Sequence, residues 1–174
     1  MVHTIWKDRI KLARLELQEK MEKVDPKLVH ELIGFFYGEG SLFLTTENIG
    51  KNGATNHTYR PCISINIRDD DYLLLEKFFE TFGGTKLSGW AIKEANGYTS
   101  KPQVRWMVQG FPRVYVILEV LEKGLLPSKK KKEIALAKEA CEARFSEGGR
   151  VSEELREKLK HYYLALKESK KYPS

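Results

Sequence analysis

Glu39 is the residue of this sequence whose type and position most suggest chemistry. It follows an almost wholly apolar segment and is flanked by Gly38 and Gly40. That segment opens with the pair Asp25 and Pro26, an N-cap followed by a proline, and so predicts a helix over about residues 26–37. A carboxylate at the C-terminal end of a helix is disfavoured by the helix dipole, and a divalent cation removes this conflict. Because carboxylate and main-chain carbonyl oxygens suit Mg²⁺, we expect Glu39 to bind a metal ion.

Two glycines in the same segment, Gly34 and Gly38, are four residues apart and therefore lie on one face of the predicted helix. Glycine within a helix costs about 1 kcal/mol relative to alanine, so a pair on one face calls for a reason. One interpretation is that another backbone approaches the helix closely there. The other is ordinary close packing of a core helix, which is the better explanation if the glycines are considered alone.

The first half of the chain predicts helices on either side of a strand pair. A helix over residues 5–23 precedes the apolar segment that ends at Glu39. Its apolar face is formed by Ile5, Leu12, Leu15 and Met21. Strands over residues 41–47 and 59–68 are joined by a turn, and Ile63 and Ile65 alternate with polar residues in the second strand. A helix over residues 72–82 follows, with Asp69 or Asp70 as its cap. Its predicted inward residues are Leu73, Leu74, Phe78 and Phe79.

The second half repeats the order with further helices at its end. Strands are predicted over residues 85–93 and 104–109, and a helix from Pro112 to Leu121. A helical segment over residues 125–145 and a last helix capped by Ser152 complete the chain, with a frayed tail from residue 170. The order helix–strand–strand–helix thus occurs twice. It predicts an α+β domain with one antiparallel four-stranded sheet and its helices on one face.

The other face of that sheet is predicted to bind nucleic acid. With Ile63, Ile65, Trp106 and Val108 directed inward, alternation sends mostly long polar side chains outward. Arginine and amide side chains of this kind read base edges in a major groove, which admits a β-ribbon. A solvated sheet face is the plainer alternative, but it would mix acids and bases more evenly than this set does. The predicted outward set is Thr45, Glu47, Arg60, Ser64, Asn66, Arg68, Lys86, Ser88, Trp90, Arg105 and Gln109.

The charge of the chain also favours an anionic partner. The 174 residues carry a formal net charge of +6, and four consecutive lysines, Lys129 to Lys132, open a predicted helix. Cations at a helix N-terminus oppose the dipole, and a bound anion relieves that cost; a solvated helix start is the plainer reading. No apolar run is long enough to span a membrane, and the first residues do not resemble a secretory signal. Because the two cysteines also suggest neither a disulfide nor a metal site, we expect a cytoplasmic protein.

Residues 32–40 resemble the signature of the LAGLIDADG homing endonucleases. Leu32, Gly34 and Gly40 match it, Phe35 and Phe36 take its apolar positions, and Gly38-Glu39-Gly40 takes its acidic end. The following Ser41-Leu42 and the αββαββα order fit the same family, so the resemblance covers roughly residues 27–145. It implies an endonuclease core over residues 25–148, with an N-terminal helical extension over 1–24 and a C-terminal helix and tail over 149–174.

The resemblance also implies an activity and the residues that carry it. A chain with one motif is expected to act as a homodimer that cuts both strands of a long, near-palindromic double-stranded DNA site and leaves short 3′ overhangs. Its cofactor would be Mg²⁺ or Mn²⁺, with Ca²⁺ as a non-catalytic substitute, and no small-molecule cofactor. Glu39 and the Gly38 carbonyl would bind the metal, and Lys129 best matches the active-site lysine, although Lys130 to Lys132 stay possible. Lys130 and Lys131 would contact DNA, and the dimer interface would be formed by Leu32, Gly34, Phe35 and Gly38.

The chain departs from the family pattern at two places. Tyr37 occupies the position of the first acid in the signature, where the side chain supports helix packing more than chemistry. The polar residue expected near the end of the second strand falls on Ile67 or Arg68, so the residue that would position water is unassigned.

Two other functions fit the same fold. One is an RNA-binding maturase that assists splicing of its own intron, and the other is a DNA-binding regulator without catalysis. Glu39 weighs against both because a binding protein has no use for an acid that faces phosphates. Other nuclease classes fit less well: the four histidines are scattered, and the Glu-x-Lys at Glu168 to Lys170 lies in the tail.

Overall fold

The computed structural model describes residues 2–48, 57–90, 102–125 and 127–170. Six helices and four strands follow one another in this part of the chain, and a single 3-10 turn at Asp69–Asp71 precedes the third helix. None of the described helices is long and apolar enough to cross a membrane. The elements are α1 (Thr4–Met21), α2 (Pro26–Glu39), β1 (Gly40–Asn48), β2 (His57–Arg68), α3 (Tyr72–Phe82), β3 (Thr85–Trp90), β4 (Gln103–Gln109), α4 (Phe111–Leu121), α5 (Ser128–Phe145) and α6 (Glu153–Ser169).

The four strands form one antiparallel sheet in the order β1-β2-β4-β3, which confirms the predicted α+β class. The helices cover one face of this sheet. The four residues predicted to point toward them, Ile63, Ile65, Trp106 and Val108, are at most 1% exposed. Strict alternation of apolar and polar residues therefore located the inner face of the two central strands correctly.

Helix α3 is rotated relative to its prediction. Phe78 and Phe82 pack on Trp106, with ring centroids 5.4 and 6.2 Å apart, so the buried face runs through these two residues. Leu73 and Phe79, predicted to be buried, are 67% and 36% exposed, and that prediction was wrong. The predicted aspartate cap was also wrong, because Asp69 and Asp70 lie in the 3-10 turn and no side chain caps α3.

Helix α1 buries the face opposite to the predicted one. Its buried residues are Trp6, Ile10, Ala13 and Leu17, and they pack against α4 and α3. Trp6 fixes this orientation because its indole N–H donates to the Glu147 carbonyl at 2.7 Å and its ring lies 5.4 Å from that of Phe145. The predicted face was wrong: Ile5, Leu12 and Leu15 are exposed.

The packing of β3 against β4 can be tested at Gly84, which directly precedes β3. Its φ is +95°, and a Cβ added there would lie 2.4 Å from the Met107 carbonyl oxygen. Gly149 also has a positive φ, +78°, but an added Cβ would meet nothing within 4 Å. We expect Gly149→Ala to lower the free energy of unfolding by about 1–2 kcal/mol, the cost of the left-handed backbone. Gly84→Ala should lower it by about 1–3 kcal/mol more because of the added clash. Equal losses for the two variants in urea denaturation would contradict the packing described here.

Candidate active site and nucleic-acid interface

The candidate site is built on the passage from α2 into β1, which takes place at a single residue. Helix α2 ends at Glu39, and Gly40 is already paired with Ile65 of β2 while its N–H still donates to the Phe36 carbonyl. A Cβ on Gly40 would lie 2.1 Å from the Phe36 ring and 2.5 Å from the Phe36 carbonyl oxygen. Only glycine fits this junction, and the junction fixes Glu39 at the end of the sheet with its side chain exposed.

The oxygen atoms at this helix end suit a hard divalent cation. Glu39 supplies a carboxylate, and the last carbonyls of a helix have no intrahelical donor. Among the described residues, no group of three His, Cys, Asp or Glu side chains lies close enough to hold a metal ion. The described residues thus offer fewer than three such side chains here, and the remaining ligands of an ion would come from main-chain oxygens, water, substrate or a second chain.

The open face of α2 is formed by Gly34 and Gly38. Both residues are exposed, and a Cβ added to either would meet nothing within 4 Å. Packing inside the described chain therefore does not require glycine at these positions. Of the two interpretations of this glycine pair, close packing within the described chain is therefore not supported.

Other α2 side chains pack or form hydrogen bonds within the chain itself. Leu32 is 2% exposed and belongs to the core, so its predicted place in a dimer interface was wrong. Phe35 is partly buried, with its ring 6.1 Å from that of Phe78. The Tyr37 hydroxyl donates to the Leu121 carbonyl at 3.2 Å, and burial raises the pKa of this phenol. Tyr37 thus attaches α2 to α4.

Lys130, in the lysine run at the start of α5, reaches the end of α2. The Lys130 ammonium group donates to the Gly40 carbonyl and lies 5.1 Å from the centroid of the Phe36 ring. It also lies 3.4 Å from the carboxylate of Glu133, which is 3% exposed. Lys129, Lys131 and Lys132 are exposed. The structure thus brings Lys130 to the site, while the role of Lys129 stays a prediction.

Two residues near this site were not predicted from the sequence. Glu133 lies one helical turn after Lys130, a spacing that could have identified it as a partner. Lys170, assigned to a frayed tail, is half-buried, and its Nζ donates to Ser41 Oγ at 2.9 Å, so that prediction was wrong for this residue. Residues 171–174 lie outside the described part of the chain. No local signal in the sequence links Lys170 to a site about 130 residues earlier.

The outward face of the sheet carries most of the predicted polar residues. Arg60, Asn66, Arg68 and Gln109 are exposed, and Thr45 is partly exposed and pairs with Arg60. Asn66 pairs with Arg105 across the sheet, and the Arg105 Nε donates to the Asn66 Oδ1 at 2.6 Å. Because Gly40 pairs with Ile65, this Asn–Arg pair follows directly along β2 from the position of Glu39. Polar groups therefore extend outward from the candidate site along β2 and β4.

Two residues predicted to read DNA from this face, Ser64 and Lys86, are not available there. Ser64 has the expected parity but is only 4% exposed, too deeply covered to reach a base edge. In β3 the register pairs Thr85 with Met107 and Leu87 with Arg105, so the odd residues face outward. Lys86 therefore lies on the helix side, where it pairs with Glu76 and lies 5.1 Å from the Phe79 ring centroid. That ion pair lowers the pKa of Glu76.

For three other predicted members only the backbone is described. Glu47 pairs with Thr58, Ser88 with Val104, and Trp90 with Gln103 after a register shift. The side chains of Glu47, Ser88 and Trp90 lie outside the described part of the chain.

The thiols of the chain are poor nucleophiles. Cys62 and Cys141 are both free and buried. Burial raises the pKa of Cys62 to about 12 and raises that of Cys141 as well, so neither is ionised near neutral pH. The reactive potential of the described residues near the motif thus lies in oxygen ligands and ammonium groups.

The architecture matches solved structures of one family. An archaeal intron-encoded homing endonuclease complexed with DNA, I-Vdi141I, superposes with a TM-score of 0.61 at 16% identity, over 84% of this chain and 86% of that one. The homing endonuclease I-TnaI gives 0.57 at 17% identity, over 81% and 94% of the two chains. The LAGLIDADG homing endonuclease I-GzeII, in complex with its DNA target, gives 0.57 at 22% identity.

These matches establish the fold. The chain spans 43% of the length of I-GzeII, so it covers less than half of some of these structures and most of others. No protein-family model matches the sequence, and no curated protein matches it. The chain has the LAGLIDADG homing-endonuclease fold, as its sequence predicted.

The role of the buried Glu133 carboxylate can be tested by measuring the free energy of unfolding of variants. Removing one partner of a buried ion pair leaves the other uncompensated, so Glu133→Gln should lower the free energy of unfolding by about 3 kcal/mol. The double variant Glu133→Gln, Lys130→Met should regain part of that loss. As a control, Glu122→Gln removes an acid from the more exposed pair with Lys138 and should lose less than about 1 kcal/mol. Losses of similar size at positions 133 and 122 would contradict the role assigned to Glu133.

Proposed function

We propose that this protein is a divalent-metal-dependent, site-specific DNA endonuclease that acts as a homodimer through α2. The observation that carries the proposal is the exposed Glu39 at the tip of α2. It lies between the open glycine face of that helix and the polar outward face of the sheet. The DNA complexes among the solved structures with this fold support the choice of double-stranded DNA as substrate.

The residues at the helix end would have different roles in catalysis. The Glu39 carboxylate and the Gly38 carbonyl would hold Mg²⁺ or Mn²⁺, and Ca²⁺ would bind there without supporting cleavage. The chemistry that such an ion supplies is activation of a water and stabilisation of the leaving 3′ oxygen. Lys130 would offset the negative charge that develops on the phosphate, a role that its position against the Gly40 carbonyl supports, and Lys129 stays an alternative. Each step depends on residues that the Gly40 junction brings together.

Pairing of two chains through α2 would supply the second active site. Gly34 and Gly38 leave room for a partner helix at short distance, and Phe35 lies between them along the chain. A twofold axis through this face makes the contact isologous and places one Glu39 at each strand of the duplex. The two sheets would then lie side by side along the DNA, which accounts for a long, near-palindromic site.

The outward face would read the DNA sequence. Arginine donates well to guanine, and asparagine or glutamine to adenine, so Arg60, Arg68, Asn66 and Gln109 have the chemistry for base readout. Lys130 and Lys131 would contribute phosphate contacts, which position the protein without specifying sequence. An RNA-binding maturase and a non-catalytic regulator are not favoured, because an exposed acid at the tip of α2 would repel phosphates in the absence of a metal.

The role of Glu39 can be tested by a charge-neutral replacement. Glu39→Gln removes the anionic ligand, so Mg²⁺-dependent cleavage should fall below detection while DNA affinity in Ca²⁺ stays within about threefold. Glu31→Gln, on the same helix and also exposed, is the matched control and should cut normally. The measurement is cleavage of a plasmid that carries a site selected from a random DNA library. Retained cleavage by Glu39→Gln would refute the metal-ligand assignment.

The open glycine face predicts opposite effects of one substitution on folding and on association. Gly34→Ala replaces a helical glycine in open space, so the isolated chain should gain about 1 kcal/mol in the free energy of unfolding. The same methyl group should weaken self-association by keeping the partner helix away. Urea denaturation at low protein concentration measures the first effect, and sedimentation equilibrium measures the second. A variant that is stabilised and dimerises as tightly as the wild type would exclude this face as the interface.

A further inference from the structure

The C-terminal end of α6 brings one more cation to the candidate site. Helix α6 packs against α5 and along β1 and β2, and Lys170 follows its last turn. The Lys170 Nζ donates to Ser41 Oγ at 2.9 Å and lies 5.1 Å from the centroid of the Phe43 ring. Ser41 and Phe43 pair with Ser64 and Cys62, so they lie on the outward face of the sheet. The ammonium group is thus fixed on the predicted DNA-binding face, at Ser41, which is two residues along the chain from Glu39.

Charged side chains of α5 act on Lys170. The lysines whose charges act on it are Lys129 and Lys130, and the acid is Glu133. Burial lowers the pKa of Lys170, Glu133 opposes that shift, and the two lysines add to it. Lys170 thus lies within the electrostatic influence of two other ammonium groups and of one carboxylate. Like charges held together in a partly desolvated site are unfavourable, and a bound anion would relieve the repulsion.

The packing of Lys170 gives it a fixed position. Its ammonium group lies over the Phe43 ring, a favourable cation–π arrangement, and its position just after α6 favours a positive charge there. A side chain already ordered in the free protein loses little further rotamer freedom when it binds a ligand. These features distinguish Lys170 from exposed lysines such as Lys167 on the same helix.

We propose that Lys170 is a second active-site cation, which binds a phosphodiester of the DNA backbone beside the phosphate that Glu39 serves. This inference rests on the proposed function and extends it to the end of α6, beyond residues 27–145, over which the sequence pattern resembles the LAGLIDADG family. Lys130 and Lys170 are then both held at the start of β1, one at the Gly40 carbonyl and the other at the Ser41 hydroxyl.

The test compares Lys170→Met with Lys170→Arg and with Lys11→Met. Lys11 is exposed on α1, which packs on the helix side of the sheet, so its loss removes the same charge away from the proposed DNA face. We expect Lys170→Met to slow single-turnover cleavage of the selected site by on the order of 10- to 100-fold. Its slope of log affinity against log salt, measured in Ca²⁺, should be smaller by about 0.9, the share of one phosphate contact. Lys170→Arg should restore most of the rate and the full slope, and Lys11→Met should change neither.

The outcomes separate this inference from the proposed function. If the wild type cuts DNA and Lys170→Met matches it in rate and in salt slope, the assignment of Lys170 is overturned and the endonuclease proposal stands. If the wild type binds DNA without cutting any, the endonuclease proposal fails, and the salt slope alone decides whether Lys170 contacts phosphate. Acetylation of the wild-type protein with and without DNA, read by mass spectrometry, covers the case in which Lys170→Met does not fold. Protection of Lys170 by DNA supports the contact, and unchanged reactivity overturns it.

Discussion

The contact between Gly40 and Phe36 is the constraint on which the candidate site depends. A helix that runs into a strand without a connecting loop has to turn within one residue, and here that residue lies directly on the Phe36 ring. Phe36 is itself in the core, so the junction is fixed by packing instead of by a flexible linker. The exposed acid, the ordered lysine at the Gly40 carbonyl and the start of the outward sheet face all take their positions from this turn.

Much of the fold could be predicted because β2 and β4 alternate cleanly. Ile63 and Ile65 between polar residues left one choice of inner face, and the choice was confirmed. Strand β3 has no such alternation, since Lys86 follows Thr85 and precedes Leu87, and Lys86 was predicted on the wrong face. In α1 two apolar stripes compete, and the one with Trp6 is buried because the indole N–H finds a carbonyl in the loop after α5. The local spacing of residues does not predict such long-range partners.

The same distinction applies to the candidate site: some of its residues could be predicted from local sequence, and others depend on long-range packing. Glu39 and the two glycines could be found from the sequence because each is unfavourable where it stands in an isolated helix. Among the four consecutive lysines, spacing alone does not select Lys130; its contact with Gly40 does. Leu32 looked suited to an interface because it is apolar and lies in the motif, yet the chain's own core covers it. Lys170 was missed because its proximity to Ser41 depends on where α6 packs.

The central claim is that two chains together form the cutting unit, with one Glu39 for each DNA strand. The most direct test mixes wild type with Glu39→Gln on a supercoiled plasmid that carries the selected site. A mixed dimer has one intact helix end, so a nicked circle should accumulate and persist in the mixture. Wild type alone should give linear DNA, and Glu39→Gln alone should give no product. A mixture that yields only linear DNA at a reduced rate, with no persistent nick, would contradict the shared site.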